Sequence, residues 1–291
     1  MRSPICAVYA NWKESTPIEG MTGIRRPGPI QKPQNWRQNT ITKIKHRGGI
    51  HTADSYRGIP IHASKGVHQA VMELLAERAE PGAKVADIGA GHGALSLRLH
   101  NAGFDVAAFD VDCDDWMADG VICHSCDINK SFKAITGLGP FNAICAIDVI
   151  EHLENPREFL RGIIELGRGE NALLIISTPN LLDTFSSIAM FTRGIFNWFS
   201  PQHYGGGGHI SILPYWLMDE HLKYLGVTGQ EWRFLAPYRH TSPVKHFVYQ
   251  GVSWLRRLLS KSASQRFFEG ETALVIVRLE CKEISGRHER P

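Results

Sequence analysis

The feature that most constrains the fold is a glycine-rich turn between a buried strand and a helix. Residues 84–88 have the pattern of a buried strand, Gly89, Gly91 and Gly93 follow at alternate positions, and a helical pattern starts at Ala94. Glycine tolerates the backbone angles of such a turn and lets a ligand approach the main chain closely. The turn therefore predicts a ligand site at the carboxyl end of a parallel strand.

Apolar strands and amphipathic helices alternate through most of the chain after residue 66. We predict helices at 67–80, 94–102, 156–166, 215–225 and 244–260, and strands at 84–88, 105–110, 121–124, 142–147, 173–177, 230–234 and 272–279. This order predicts an α/β fold with a doubly wound, mostly parallel, Rossmann-like sheet of seven strands. Residues 67–291 are the expected domain, with a lid insert at about 181–212, after the fifth strand.

Acidic residues stand at the ends of three successive predicted strands. Asp87 precedes the first glycine by two positions, Asp110 ends the second strand, and Asp127 with Ile128 follows the third. A carboxylate at position 87 suits an ammonium group and would repel a pyrophosphate, and the spacing is not the G-x-G-x-x-G of dinucleotide folds. Asp110 can accept hydrogen bonds from ribose hydroxyls; Asp112 is a second candidate, further from the strand end.

This pattern resembles class I S-adenosylmethionine-dependent methyltransferases over roughly residues 66–280. The resemblance implies that Asp87 and Gly89 lie near the methionine part of S-adenosylmethionine, that Asp110 holds its ribose, and that Asp127 and Ile128 meet its adenine. We also assign Gly91, Gly93 and Asp148 to the donor site. Many relatives have an aspartate before the fourth strand where this chain has Asn142, and because that aspartate is usually structural we expect little loss.

The segment after the fourth strand resembles a narrower group of methyltransferases. Ubiquinone-biosynthesis O-methyltransferases and small-RNA 3′-terminal 2′-O-methyltransferases have an acid-x-x-Glu-His segment here, then Thr-Pro-Asn after the fifth strand and a later histidine. This chain has Asp148, Glu151 and His152, then residues 178–180, then His209. If residues 148–152 form a helical turn, the first three share one face and can converge with His209.

Three roles stay open for this group of residues. Two carboxylates and two imidazoles (Asp148, Glu151, His152 and His209) suit a divalent ion such as Mg, Mn or Zn, which would lower the proton affinity of an acceptor oxygen. In a metal-free site, His152 or His209 is the base for a hydroxyl acceptor, or contacts that acceptor. In the third alternative His152 is only structural. We expect His92, inside the glycine loop, to be a loop residue and not a base.

Two aromatic or apolar segments bear on the acceptor. The insert carries several aromatic residues and four consecutive glycines that we interpret as a lid with a hinge, although packing on the sheet is the alternative: Phe191, Phe196, Trp198, Phe199, Tyr204 and Gly205–Gly208. An apolar, lipid-linked or quinone-like acceptor would suit such a lid. The helix at 244–260 pairs apolar residues with Arg256, Arg257 and Lys261, and it either covers the sheet or contacts a membrane.

Charge separates the first 66 residues from the rest. Residues 1–66 contain 11 basic and three acidic residues, a local net charge of +8, so the remaining 225 residues carry −5. Without periodicity and with several prolines, residues 1–66 are predicted to be a poorly ordered basic arm. No apolar run approaches a membrane span or a signal-peptide core, so we expect a cytoplasmic protein, with peripheral membrane contact as an extension.

The six cysteines are scattered, and we predict reduced thiols. One Cys-x-x-Cys pair, Cys123 and Cys126, is weak support for a metal or redox site.

The expected function is methyl transfer from S-adenosylmethionine to an oxygen of a small-molecule or lipid-like acceptor. An RNA 2′-O-methyltransferase that uses the basic arm is the first alternative, but an acidic body disfavours a nucleic-acid partner. A donor-binding protein without catalysis is the second alternative, and the complete set of acids with the Glu-His segment disfavours it.

Overall fold

A seven-stranded sheet forms the centre of the computed structural model, which describes residues 54–236, 243–259 and 270–280. The strands are β1 (Lys84–Ile88), β2 (Asp105–Asp110), β3 (Cys123–Ser125), β4 (Ala143–Ile147), β5 (Leu173–Pro179), β6 (Glu231–Leu235) and β7 (Thr272–Arg278). Their order is β3-β2-β1-β4-β5-β7-β6. β7 pairs antiparallel with both β5 and β6, and the other four neighbouring pairs are parallel, so the predicted doubly wound, mostly parallel sheet is confirmed.

Helices cover both faces of this sheet. They are α1 (Val67–Arg78), α2 (Ala94–Asn101), α3 (Lys133–Thr136), α4 (Pro156–Arg168), α5 (Thr184–Arg193), α6 (Pro201–Gly207), α7 (Tyr215–Tyr224) and α8 (Pro243–Leu259). The apolar faces of α1 and α2 pack on one side of the sheet, and those of α4 and α7 pack on the other. This explains why Leu173–Ile176 is apolar at every position, since successive side chains point to opposite, equally buried faces.

The start of α4 agrees with the sequence prediction. The side chain of Asn155 accepts a hydrogen bond from the Glu158 amide at 3.2 Å, and Pro156 occupies the first turn. The Asn155 side chain satisfies an amide that has no partner within the helix, and Pro156 has no amide hydrogen that would need one. α4 begins shortly after the turn that carries Glu151 and His152, so the capped start of α4 fixes the chain where it leaves that turn.

Residues 54–66 correct the predicted boundary of the basic arm. Ser55–Tyr56 and Ile59–Pro60 form a small antiparallel hairpin. Ile59 is buried with apolar residues of α2 and β2, and the Arg98 guanidinium lies 4.4 Å from the centre of the Tyr56 ring. This stretch packs on the domain because its few apolar side chains match α2. The rest of the predicted arm, residues 1–53, lies outside the described residues.

The prediction of reduced thiols was wrong for one pair. Cys113 and Cys123 form a disulfide, whereas Cys126 and Cys145 are free and buried. β2 and β3 are neighbours, so the loop after β2 passes the start of β3 and brings these two residues together. The Cys-x-x-Cys motif therefore does not supply two free thiols for a metal.

The insert is helical where a glycine hinge was expected. Gly205–Gly207 lie within α6, and Gly208, at φ +70°, ends that helix. Asp183 caps α5 by accepting hydrogen bonds from the amides of Phe185 and Ser186. The glycine run therefore ends a helix and leads directly to His209. Among the described residues, none of the helices is long and apolar enough to cross a bilayer.

Candidate active site

The candidate site lies where the strand order reverses. The chain leaves β1 towards β2 on one side and β4 leads to β5 on the other, so their carboxyl ends open a crevice. The glycine loop follows β1, and Asp148 follows β4. Ligands of doubly wound sheets bind at this position, which makes the crevice the starting point for assigning the site.

The three glycines of the loop have positive φ angles but different surroundings. A Cβ atom at Gly89 would overlap the side chain of Val149, and one at Gly93 would lie 2.6 Å from Ala118 Cβ. At Gly91 the nearest atom would be in the His62 ring, at 3.8 Å. A side chain at Gly89 or Gly93 would therefore collide with the protein itself, whereas the space beside Gly91 is open to the distance of an ordinary van der Waals contact.

Asp110 is the acid that lies against the glycine loop. Its Oδ2 atom accepts a hydrogen bond from the Gly91 amide at 2.8 Å, and its Oδ1 atom accepts one from the Asp112 amide at 3.1 Å. The carboxylate of Asp112 accepts from the Asp114 amide. The geometry therefore favours Asp110 over Asp112 as the residue of the crevice.

Asp127 and Ile128 lie in the loop after β3, next to the end of β2. The Cys126 amide donates to the Asp110 carbonyl at 2.7 Å, which aligns the two loops. The Asp127 carboxylate pairs with Lys130, 2.6 Å from its Nζ atom, and also accepts from the Asn129 amide. Ile128 is partly buried against the core. The contacts of Asp127 thus stabilise its own turn, at the end of the sheet next to β2.

A segment that the sequence analysis missed crosses the crevice. We call residues 61–66 the strap. His62 Nε2 lies 3.0 Å from His92 Nδ1 in the glycine loop. The main chain of Ser64 is close enough to the Asp148 carboxylate to oppose the rise in its pKa that burial causes. The strap therefore has neighbours on both sides of the crevice. A histidine in the glycine loop was the available signal, but nothing in the sequence identified its partner.

Glu151, His152 and His209 form a compact group beside the crevice. One potential ligand atom from each lies within 4.8 Å of the others. The helical segment is only a 3-10 turn, Ile150–His152. Asp148, which we expected in the group, adopts φ +53°, and its Oδ1 atom accepts a hydrogen bond from Ser177 Oγ at 2.6 Å. The predicted convergence therefore holds for three residues, and Asp148 is turned towards β5.

Glu151 is completely buried. Its Oε2 atom accepts a hydrogen bond from Thr178 Oγ1 at 3.2 Å, and its Oε1 atom has no partner among the described residues. Burial, reinforced by the nearby Asp148 carboxylate, raises the pKa of Glu151 well above its usual range. An unpartnered buried carboxylate oxygen requires a proton, a cation or a ligand near it.

The end of the insert is fastened to the Glu151 turn, and this places His209. The amides of Ile210 and Ser211 both donate to the Glu151 carbonyl at 2.9 Å, and Ser211 Oγ donates to the Leu153 carbonyl at 2.5 Å. The His209 and His152 rings meet edge to face with centroids 4.7 Å apart. Main-chain hydrogen bonds thus bring together residues that are about 57 positions apart in the sequence.

A hydrogen bond to Trp198 shows which ring nitrogen of His209 carries the proton. Nδ1 lies 2.9 Å from the Trp198 carbonyl oxygen, which can only accept, so Nδ1 carries the proton and Nε2 is free of it in the neutral ring. Burial, followed by the neighbouring His152, lowers the pKa of His209, and the Trp198 hydrogen bond opposes this change. His209 is therefore neutral near pH 7 and has one nitrogen able to accept a proton.

Comparison with known proteins agrees with this geometry. A family model described as a methyltransferase domain matches residues 62–254, more than half of the chain. The chain belongs to this methyltransferase-domain family. By family and by fold it is a class I S-adenosylmethionine-dependent methyltransferase domain, as the glycine loop and the acids predicted.

Two curated relatives and one solved structure illustrate the range of similarity. The ubiquinone biosynthesis O-methyltransferase of Caulobacter sp. strain K31 is 29% identical over 41% of this chain and 50% of its own length, so the chain spans about half of that relative. The enzyme of the same name from Xanthomonas campestris pv. campestris strain B100 is 26% identical over 71% of this chain and 91% of its own. A SAM-dependent methyltransferase structure from Archaeoglobus fulgidus is 17% identical, with a TM-score of 0.47 over 72% of this chain and 94% of its own.

Two residues of the methyltransferase domain that the sequence analysis singled out make contacts within the protein. Asn142 Oδ1 accepts a hydrogen bond from the Lys84 amide at 2.8 Å, so an asparagine makes the structural contact that an aspartate could make. His92 lies in the loop and contacts His62. Neither residue contacts the Glu151 group in the described part of the chain.

Asp87 of the methyltransferase domain is buried beneath the glycine loop. Ser96 Oγ donates to its Oδ2 atom at 2.5 Å. Burial raises the pKa of Asp87 to about 6, with a further contribution from Asp110 and partial opposition from Ser96. The carboxylate is therefore poised to ionise when a cationic group approaches.

We expect Asp87 to make the free protein less stable as the pH rises. Because its pKa is raised from 3.8 to about 6 on folding, the stability it contributes is complete below about pH 4 and is lost as the pH passes 6. The Asp87→Asn variant cannot ionise, so wild type should lose about 2 kcal/mol of stability relative to it between pH 4 and pH 7. Urea unfolding of both proteins at the two pH values measures this difference, and parallel stability profiles would contradict the prediction.

Proposed function

We propose that this methyltransferase domain transfers the methyl group of S-adenosylmethionine to an oxygen atom of a small or lipid-like acceptor. The observation that carries the proposal is the group of Glu151, His152 and His209 beside the crevice. A hydroxyl acceptor needs a residue that removes its proton, and His209, whose Nε2 atom carries no proton in the neutral ring, meets that need. The curated relatives, which are named ubiquinone biosynthesis O-methyltransferases, support the same class of reaction.

In this proposal the donor lies across the carboxyl ends of β1, β2 and β3. The Asp87 carboxylate, beneath the glycine loop, neutralises the charge of the ammonium group of S-adenosylmethionine. Gly91 contacts the donor through its main chain, and Asp110 accepts hydrogen bonds from the ribose hydroxyls. Asp127 and Ile128 meet the adenine. This assignment is supported by the bond between Asp110 and the Gly91 amide, which joins two of these subsites.

The transfer itself needs position more than chemical activation. The acceptor oxygen forms a bond to the methyl carbon as the carbon–sulfur bond breaks, which leaves S-adenosylhomocysteine as a neutral thioether. The acceptor proton passes to Nε2 of His209, whose Nδ1 hydrogen bond to Trp198 keeps the ring oriented. His152 packs edge to face on this ring and limits its rotation.

The same three residues also fit a divalent cation. Two imidazoles with one carboxylate are a suitable donor set for Zn or Mn, and less so for Mg, and the unpartnered Glu151 Oε1 atom is the position that a cation would satisfy. Such an ion would lower the proton affinity of the acceptor oxygen. Glu151, His152 and His209 would hold it; Asp148, bonded to Ser177, would not.

Metal binding is tested by thermal unfolding with Glu151→Gln as the control. If the group holds a cation at 100 times its dissociation constant, the wild type gains about 2.7 kcal/mol, or roughly 5 °C in Tm. Glu151→Gln keeps the shape but loses the charge, so its Tm should not respond to Mn²⁺ or Zn²⁺. Equal responses of both proteins, or none, would leave His209 acting without a metal.

The proposed reaction is tested with radiolabelled S-adenosylmethionine and a panel of acceptors. Phenols and catechols with and without an apolar tail are compared with an amine acceptor and with an RNA oligonucleotide. We expect label in the ether product of a hydroxyl acceptor. Label in RNA alone would establish the alternative 2′-O-methylation of RNA, and label in the amine alone would overturn the choice of oxygen.

A further inference from the structure

The outward surface of α8 is unusually apolar. Five of its side chains are large, hydrophobic and exposed, led by Phe247 at 80%: Phe247, Val248, Trp254, Leu255 and Leu258. They recur at the spacing of one helical face, so they form a continuous stripe along the helix. A helix on the surface of a globular protein normally turns such a stripe towards the core.

The inward surface of α8 is held by polar contacts. Ser253 Oγ donates to Thr184 Oγ1 at 2.9 Å, and Arg256 donates both to Ser187 Oγ at 2.6 Å and to the Leu182 carbonyl at 2.9 Å. These bonds fix which face of the helix points inward. The orientation with the apolar face outward is therefore specified by hydrogen bonds between α8 and α5.

Helix α5 extends the apolar surface. Its contacts run from Thr184 to Ser253 and from Ser187 to Arg256, so α5 and α8 lie side by side and point in the same direction. Met190 and Phe191 on α5 are exposed, Phe191 at 93%. We call these two residues and the five on α8 the outward patch. An exposed apolar surface on two adjoining helices marks an interaction site.

The charge of the surrounding sequence indicates the partner. The sequences of α5 and α8 contain four basic residues (Arg193, Lys245, Arg256 and Arg257) and no acidic residue. The domain as a whole is acidic, since residues 67–291 carry a net charge of −5. The outward patch thus lies on two helices whose charged residues are all basic, which complements a negatively charged surface.

We infer that the outward patch docks on the surface of an anionic phospholipid bilayer. Aromatic and aliphatic side chains enter the boundary between headgroups and acyl chains, and the positive charge of the two helices attracts anionic lipids. Trp254 and Phe191 are residue types suited to this boundary. The inference does not depend on the acceptor, because it rests on the orientation of α8 and on charge.

Vesicle flotation with the full chain tests this inference. Vesicles of phosphatidylcholine with phosphatidylglycerol are compared with vesicles of phosphatidylcholine alone, for wild type and for the variant with Phe247→Ser, Trp254→Ser and Leu258→Ser. We expect binding to the anionic vesicles that is at least tenfold weaker in this variant. The matched control, Ile122→Ser with Tyr224→Ser, removes two exposed apolar residues elsewhere and should bind as wild type does.

The test separates the outward patch from the basic residues 1–53. Attraction by that segment alone weakens steeply with salt and is the same in wild type and in the triple variant. Binding that persists at 0.5 M salt and is weakened by Phe191→Ser supports the outward patch. Because the Phe191 side chain is exposed, this substitution should not unfold the protein. Equal binding of all variants, or a dimer in sedimentation that the triple variant dissolves, would overturn the inference.

Discussion

Replacing Asp110 with alanine is expected to weaken the binding of S-adenosylhomocysteine by at least about a hundredfold. In the proposed donor site two ribose hydroxyls donate to this carboxylate, so the ligand would lose both hydrogen bonds, and hydrogen bonds to a charged group contribute about 1.5–3 kcal/mol each. The same substitution removes the acceptor of the Gly91 amide, which donates a hydrogen bond to Asp110 Oδ2 at 2.8 Å. Isothermal titration calorimetry of wild type and variant measures the loss directly.

Asp112→Ala is the matched control for this prediction. Asp112 is two residues away and also acidic, but its side chain accepts from the Asp114 amide and does not reach the glycine loop. We expect less than a threefold change in its affinity. Asp110→Asn keeps an acceptor for the Gly91 amide, so it distinguishes loss of the ribose contact from disorder of the loop. A large loss in Asp112→Ala alone would reverse the assignment.

Replacing His209 with alanine is expected to lower kcat by 10²- to 10⁴-fold while donor affinity stays within a factor of about three. General-base catalysis contributes rate enhancements of this size, and His209 is the imidazole whose proton position is assigned. The loss should appear in kcat because the proton leaves the acceptor only in the transition state. Initial rates with the best hydroxyl acceptor of the panel provide the measurement.

His203→Ala controls for the loss of an aromatic ring beside the site. The His203 ring stacks on that of His209 at 6.0 Å but lies with Nδ1 2.8 Å from Ser200 Oγ. We expect a change of less than fivefold in kcat. If His203→Ala and His209→Ala lose activity equally, the histidines support the insert and do not act as bases.

The fold was predictable because its information is local. Strand and helix periodicity, the glycine turn and the Asn155 cap each depend on a few adjacent residues, and all appear in the structure. The convergence of Glu151, His152 and His209 was predictable only through a family resemblance, because the main-chain bonds that place His209 connect distant parts of the chain.

Features fixed by distant contacts could not be predicted from local patterns. Asp148 adopts a left-handed conformation, and Ser177 holds both its side chain and its main chain, so a helical turn starting at this residue was the wrong expectation. The partner of Cys123 depends on the adjacency of β2 and β3. The amphipathic pattern of α8 was visible, but its direction is set by Ser253 and Arg256 through α5.

The strap has a consequence for the order of events in a catalytic cycle. It contacts the glycine loop through His62 and His92, and the main chain of Ser64 lies near Asp148 on the other side of the crevice. If the donor lies in the crevice as we propose, it would exchange only when the strap moves, so spent cofactor would leave no faster than the strap lifts. The strap would then limit the rate of turnover, although its residues take no part in the chemical step.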